Sequence, residues 1–148
     1  MVLLSEIAIW VAFLIASYFL IFWLLVLLDE DPNKYKNKKK LTHFPMVSIV
    51  LPAFNEENNI IASLKSLLNM DYPKNKLQII VVNDGSTDKT KDVVQNFIKN
   101  NKAYDISIIS QQNKGKGAAL NVGLKQVKGE FFVCLDADSI ASKDILKK

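Results

Sequence analysis

The sequence predicts an α/β domain with a mostly parallel sheet flanked by helices, preceded by one transmembrane helix. Three observations predict it. An uncharged apolar run fills Ile7 to Leu28. Beyond residue 45, short β-rich runs alternate with stretches of helical apolar spacing at roughly 25 to 30 residues per unit, the pattern of strand–helix–strand repeats on a parallel sheet. Each of the four β-rich runs leaves through a polar segment, as it must where a sheet edge is given over to chemistry.

The apolar run, IAIWVAFLIASYFLIFWLLVLL, carries only Ser17 and Tyr18 as hydroxyl-bearing interruptions. About 22 residues at 1.5 Å rise give roughly 33 Å, enough to cross a hydrocarbon core of about 30 Å. A cleaved secretory signal would need a positive start, a shorter apolar stretch and a small-residue cleavage site. Glu6 precedes this run and Leu27, Leu28 and Asp29 follow it, so residues 1–28 are expected to be a retained anchor. Lys34, Lys36, Lys38, Lys39 and Lys40 lie on its C-terminal side with no Lys or Arg before it. This asymmetry predicts a single-pass cell-membrane protein whose remaining chain is cytoplasmic.

Residues 29–45 form a polar, Lys-rich stretch closed by Pro45, expected to be a juxtamembrane linker whose lysines meet anionic lipid. From Met46 onward 14 Lys face 11 acidic residues. That balance is ordinary for a domain in water and gives no reason to expect nucleic acid as a partner. All 19 basic residues of the chain are Lys, so the two-pronged phosphate grip of Arg is absent. The single cysteine, Cys134, sits in an apolar run and is expected to be a small core residue in a reducing compartment. The one histidine, His43, falls in the linker. Chemistry in residues 46–148 therefore has to be carboxylate chemistry.

The expected strands are Met46 to Ala53, Leu77 to Asn83, Asp105 to Ser110 and Phe131 to Leu135, the second and fourth nearly continuous in apolar residues, as buried parallel strands are. Between them, Ile60, Ile61, Leu64, Leu67 and Leu68 repeat at helical spacing, then Val93, Val94, Phe97 and Ile98, then Leu120, Leu124 and Val127.

Ligands of open α/β sheets bind outside the carboxyl ends of the strands. The exits here are PAFNEE (52–57), NDGSTD (83–88), QQNKGKG (111–117) and DAD (136–138). Each alone has a plain structural reading. Asp84-Gly85 is a turn, Asn55, Glu57 and Asp88 are helix-start residues, and an isolated D-x-D is common in surface turns. Together they aim carboxylates, a helix start and a glycine-lysine loop at one sheet edge, which coincidence explains poorly. The familiar phosphate loops do not fit. Gly115-Lys116-Gly117 continues to Leu120 where G-x-G-x-x-G wants glycine, and no G-x-x-x-x-G-K-[ST] exists.

PAFNEE, VVNDGSTDKT, QNKGKGAALN and CLDAD, in this order and spacing over Val47 to about Asp144, resemble family 2 glycosyltransferases of the GT-A fold. With one anchor ahead of them, the motifs are most similar to membrane polysaccharide synthases and polyprenyl-phosphate sugar transferases. The resemblance implies a metal-dependent transfer of sugar from a nucleoside-diphosphate donor, UDP-linked, to a saccharide or lipid-linked acceptor. It implies that Pro52, Ala53, Asn55 and Glu57 line the nucleotide pocket, that Asp84 bonds the base, and that Lys116 lies by the diphosphate. It implies further that Asp136 contacts ribose or metal and that Asp138 coordinates a divalent cation. Electrostatics asks for the same cation, because unit charges 4 Å apart cost roughly 4 kcal/mol at an effective dielectric of 20 when a carboxylate faces a phosphate. Oxygen ligands and phosphates point to Mg²⁺ or Mn²⁺.

In the resembling family the base that deprotonates the acceptor lies well downstream of D-x-D, and no residue here is assigned to that role. Asp144 is the only later carboxylate and reads as a helix start. Sheets of that fold continue past the fourth strand, so the sheet is expected to be incomplete at its C-terminal end, with Phe131 to Leu135 as an exposed apolar edge. The expected partner is then a missing C-terminal half or a second chain, and the competing reading is a non-catalytic donor-binding fragment. A nucleotidyltransferase is disfavoured, because its basic phosphate loop would replace PAFNEE.

Overall fold

The computed structural model of the chain describes residues 2–29 and 43–147. The chain divides into two units, residues 1–40 and 41–148. In the first, helix α1 (Val2–Asp29) is a single 28-residue helix. Its stretch Ser5–Leu28 is long and apolar enough to cross a membrane, with none of its side chains buried. Ser17 Oγ donates to the Phe13 carbonyl at 2.8 Å, so the one hydroxyl in mid-helix is satisfied by its own backbone. The five linker lysines lie outside the described residues.

The second unit carries four parallel strands, β1 (Val47–Ala53), β2 (Leu77–Asp84), β3 (Asp105–Gln111) and β4 (Phe131–Cys134), in the order β3-β2-β1-β4. Val47 stands beside both Leu77 and Phe131, and Gln78 beside Asp105. Helices α2 (Ile60–Leu68), α3 (Thr90–Asn100) and α4 (Lys116–Leu124) fill the connections. Residues of β1 and β2 alternate between two cores. Ile49, Leu51, Ile79 and Val81 pack with Leu64, Leu67 and Val94 of α2 and α3, while Val50, Ile80 and Val82 pack with Ala119 of α4. The predicted periodicities thus become two helices against one face and one against the other. Val127 lies beyond the end of α4 yet packs against the same core.

Gly123 lets α4 approach the sheet closely. A Cβ there would stand 2.4 Å from Val50 Cγ1 and 3.1 Å from Val82 Cγ2. Overpacking of this kind costs about 1–3 kcal/mol. Gly123→Ala is expected to lower the melting temperature of the detergent-solubilised chain by roughly 4–8 °C per kcal/mol lost, and an unchanged melt would show that α4 can lift away at no cost.

β4 is an edge strand, with Phe131 61% and Phe132 55% exposed, as the apolar run predicted. Cys134 is a correction: it is exposed, not a core residue, because among the described residues no strand covers the outer side of β4. The segment around Asp144 forms a 3₁₀ turn, Ile145–Lys147, preceded by a hydrogen bond from Ser142 Oγ to Asp144 Oδ1.

Candidate functional site

Strands β1, β2 and β3 step in one direction across the sheet, and β4 returns to the other side of β1. This reversal opens a crevice at the carboxyl ends of β1 and β4, the position where open α/β sheets bind ligands. The crevice is a cleft of about 250 Å³ lined by Pro52, Phe54, Glu56, Asp84, Lys116, Asp136, Ala137 and Asp138. Pockets that enclose a small ligand run to about 300–1,000 Å³.

Asp84 ends β2 and is 3% exposed. Its Oδ1 accepts from Gln111 Nε2 at 2.6 Å and from the Lys114 backbone N–H at 2.9 Å. Burial pushes its pKa up, but the Gln111 amide and the Lys114 and Gly115 backbone N–H groups outweigh burial and hold it below the ordinary carboxylate value. The carboxylate is thus kept charged and fixed at the floor of the cleft. Gly85 follows with φ +71°, and a Cβ there would stand 2.6 Å from the Asn113 backbone nitrogen. Only glycine lets the exits of β2 and β3 meet this closely.

Lys116 is the first residue of α4, and its Nζ lies 2.5 Å from Asp136 Oδ1. The Asp136 carboxylate raises the Lys116 pKa above its ordinary value. Both side chains are more than half exposed, so the pair contributes little to stability and exchanges partners at small cost. Asp138 is exposed, and Ser139 Oγ lies 3.5 Å from its Oδ1.

The other expected residues stand apart from the cleft. Ala53 is buried in the core at the end of β1. Asn55, at φ +56°, and Glu57 tie the β1 exit to the β2 exit. Asn55 Oδ1 accepts from the Thr87 N–H at 2.8 Å, and Ser86 Oγ accepts from the Asn55 N–H at 3.0 Å. Glu57 Oε2 accepts from the Lys89 N–H at 2.8 Å, while Asp88 Oδ2 accepts from the Glu57 N–H at 3.1 Å. Phe54 and Glu56, within the 52–57 exit expected to line the pocket, do line the cleft, as does Ala137, which was not singled out in the sequence. β1 ends at Ala53 and the chain turns at Asn55, so which of residues 54–57 meet the cleft is set by loop geometry that residue type does not report.

Among the described residues no three His, Cys, Asp or Glu side chains gather into a metal cage. Asp136 and Asp138 nevertheless suit a divalent cation of the Mg²⁺ type, which is commonly held by one or two carboxylates and completed by substrate phosphates.

A parallel sheet with this strand order, its acidic cleft at the switch point and a D-x-D at the exit of the edge strand define a GT-A-type domain. The family model for Glycosyl transferase family 2 matches residues 48–148, and the chain belongs to that family. It is 38% identical over 115 residues to the probable glycosyltransferase YdaM of Bacillus subtilis, covering 76% of this chain and 27% of that protein. It is 38% identical over 100 residues to the poly-β-1,6-N-acetyl-D-glucosamine synthase of Staphylococcus epidermidis, covering 66% and 23%. The chain thus spans about a quarter of the length of these curated relatives. Among solved structures, TarS 1–349 of S. aureus in complex with UDP-GlcNAc superposes at TM-score 0.63 and 35% identity, over 69% of this chain and 29% of that one. The mannosyltransferase PcManGT of Pyrobaculum calidifontis, in complex with GDP-Man and Mn²⁺, superposes at 0.69 and 28% identity, over 90% and 41%.

Proposed function

We propose that the chain binds a nucleoside-diphosphate sugar, UDP-linked, in the cleft at the carboxyl ends of β1 and β4, as the donor half of a membrane glycosyltransferase acting on a saccharide or lipid-linked acceptor. The observation that carries this is the convergence of Asp84, Lys116, Asp136 and Asp138 on one cleft. In this reading Asp84, held charged by Gln111 and Lys114, accepts N–H groups from the base. Pro52 forms the wall beside it, and Asn55 and Glu57 fix the shape of that wall through their bonds to the β2 exit; Ala53 seats the wall in the core.

Asp136 serves the ribose or the cation, and Asp138 holds the cation, Mg²⁺ or Mn²⁺. When bound, such an ion neutralises the diphosphate and stabilises its departure. Lys116, released from Asp136, is within side-chain reach of the same diphosphate and supplies a second positive charge. These residues position the donor and accommodate charge on its leaving group; among the described residues no carboxylate after Asp138 lines the cleft to take the acceptor proton. The dependence on a cation draws support from the Mn²⁺ complex of PcManGT, and the UDP preference from the UDP-GlcNAc complex of TarS. The anchor reading draws support from α1, and the cytoplasmic placement from the lysines that follow it.

Calorimetric titration of the detergent-solubilised chain with UDP-GlcNAc and Mn²⁺ is expected to show binding that chelation removes. Asp84→Ala is expected to weaken it by about tenfold or more, since a hydrogen bond to a charged group contributes roughly 1.5–3 kcal/mol. Equal affinity for UDP and for a cytidine or guanosine diphosphate would remove the base-reading role from Asp84.

A further inference from the structure

We propose that the end of the domain opposite the cleft is a docking surface for anionic phospholipid headgroups. The inference is independent of donor binding and rests on how parallel topology sorts charge. Every strand-to-helix connection lies at the cleft end, and every helix-to-strand connection at the other. The cleft end carries Glu56, Glu57, Asp84, Asp88, Asp136 and Asp138 against Lys89, Lys114 and Lys116. The opposite end reverses the balance.

Lys65 in the last turn of α2, with Lys74 and Lys76 just ahead of β2, surrounds the first helix-to-strand connection. Lys99 and Lys102 surround the second, and Lys125 and Lys128 the third. The acidic residues there are largely engaged. Asp105 pairs with Lys128 at 3.3 Å, Asp71 pairs with Lys147, and Glu130 accepts from the Met46 backbone N–H. The domain is therefore polar in the electrostatic sense, negative at the cleft and positive at the far end.

A groove of about 530 Å³ opens between the ends of α2 and α3 on this basic side, lined by Lys65, Leu68, Asn69, Phe97, Asn100 and Tyr104. Lys74 Nζ stands 4.8 Å from the Tyr104 ring centroid. An apolar floor, an amide rim and flanking ammonium groups are what an anionic headgroup with its glycerol backbone would contact. Three facts favour a bilayer over nucleic acid. The basic residues are all Lys, flexible point charges that suit a diffuse anionic surface more than a structured polyanion. The same chain carries a helix long and apolar enough to cross a membrane. β1, the first strand of this domain, enters the sheet at Val47, at this same end. Each lysine near an anionic leaflet is worth about 1 kcal/mol, so even a few engaged lysines would hold this face of the domain at the leaflet.

The test is amine footprinting of the full chain in lipid nanodiscs. Pulsed acetylation read by mass spectrometry is compared between discs of phosphatidylcholine alone and discs containing phosphatidylglycerol. Lys65, Lys74, Lys99 and Lys102 are expected to label at least about threefold more slowly on the anionic discs, with the protection lost at high salt, while Lys89 and Lys91 at the cleft end are unaffected. Equal labelling on the two kinds of disc, or slowing at both ends alike, would overturn the proposal. So would equal protection on neutral discs by inorganic phosphate, or by an added oligonucleotide, which would identify a free anion or a nucleic acid as the occupant instead.

Discussion

Asp138→Ala is expected to remove cation-dependent donor binding while leaving the fold intact. The side chain is exposed, and the contact shown at its Oδ1 is a long one to Ser139 Oγ, so its loss costs the sheet little. Its loss to the cleft is larger. A carboxylate and a cation 4 Å apart attract by roughly 4 kcal/mol at an effective dielectric of 20, and removing that attraction leaves the diphosphate facing Asp136 with less charge to offset it. The expected weakening of UDP-GlcNAc binding in Mn²⁺ is at least about a hundredfold by calorimetry. The circular dichroism spectrum and melting temperature should match those of the unaltered chain. Asp138→Asn, which keeps the shape and an oxygen ligand but not the charge, should fall between the two. Undiminished affinity in Asp138→Ala would move the cation to other ligands.

The second large effect falls on stability. Asp88 is the knot between the exits of β1 and β2. Its Oδ1 accepts from the Thr90 N–H at 2.9 Å and from Thr90 Oγ1, and its Oδ2 accepts from the Glu57 N–H at 3.1 Å. Thr90 Oγ1 in turn accepts from the Glu56 N–H at 2.8 Å. Asp88→Ala strands these donors, at about 1–3 kcal/mol for each one left unpaired away from water. A fall in melting temperature of ten degrees or more is expected for the detergent-solubilised chain, since 1 kcal/mol shifts a domain of this size by roughly 4–8 °C.

The pH dependence has a definite sign. Burial pushes the Asp88 pKa up, but the bonds from Thr90 and Glu57 outweigh burial and hold it below its ordinary value of 3.8. A carboxylate depressed in the folded state stabilises fully above that ordinary value and loses its contribution as pH falls through the folded pKa. Stability should therefore hold above about pH 4 and decline below it, with Asp84 contributing in the same direction. Asp88→Asn, which retains an oxygen acceptor but cannot titrate, should show a shallower acid decline. An unchanged acid limb would place the acid sensitivity in other carboxylates.

Much of this architecture was legible because parallel strands buried on both faces are continuous in apolar residues. LQIIVVN announces β2, whose eight residues are all buried. The candidate cleft was legible at the level of segments, since polar residues directly after buried strands have nowhere to go but the carboxyl edge. Within a segment the reading by residue type was less sure. Asn55 and Glu57 attract notice as polar groups, yet backbone direction turns them toward the neighbouring exit and presents Phe54 and Glu56 to the cleft. Cys134 shows the opposite failing. An apolar run reports that a strand wants to be covered, and not whether anything covers it.

The tight seat of α4 on the sheet gives the cleft an adjustment far from its own surface. Lys116 and Gly123 lie on the same nine-residue helix, about 10 Å apart along its axis. Lys116 begins the helix at the cleft, and Gly123 seats its other end on the sheet. A side chain introduced at residue 123 would press on Val50 and Val82, and any tilt of α4 that relieves this would change where the Lys116 ammonium can reach. With Lys116 in its proposed role, Gly123→Ala is therefore expected to change donor affinity from the hydrophobic interior, through a position that does not line the cleft and carries no charge of its own.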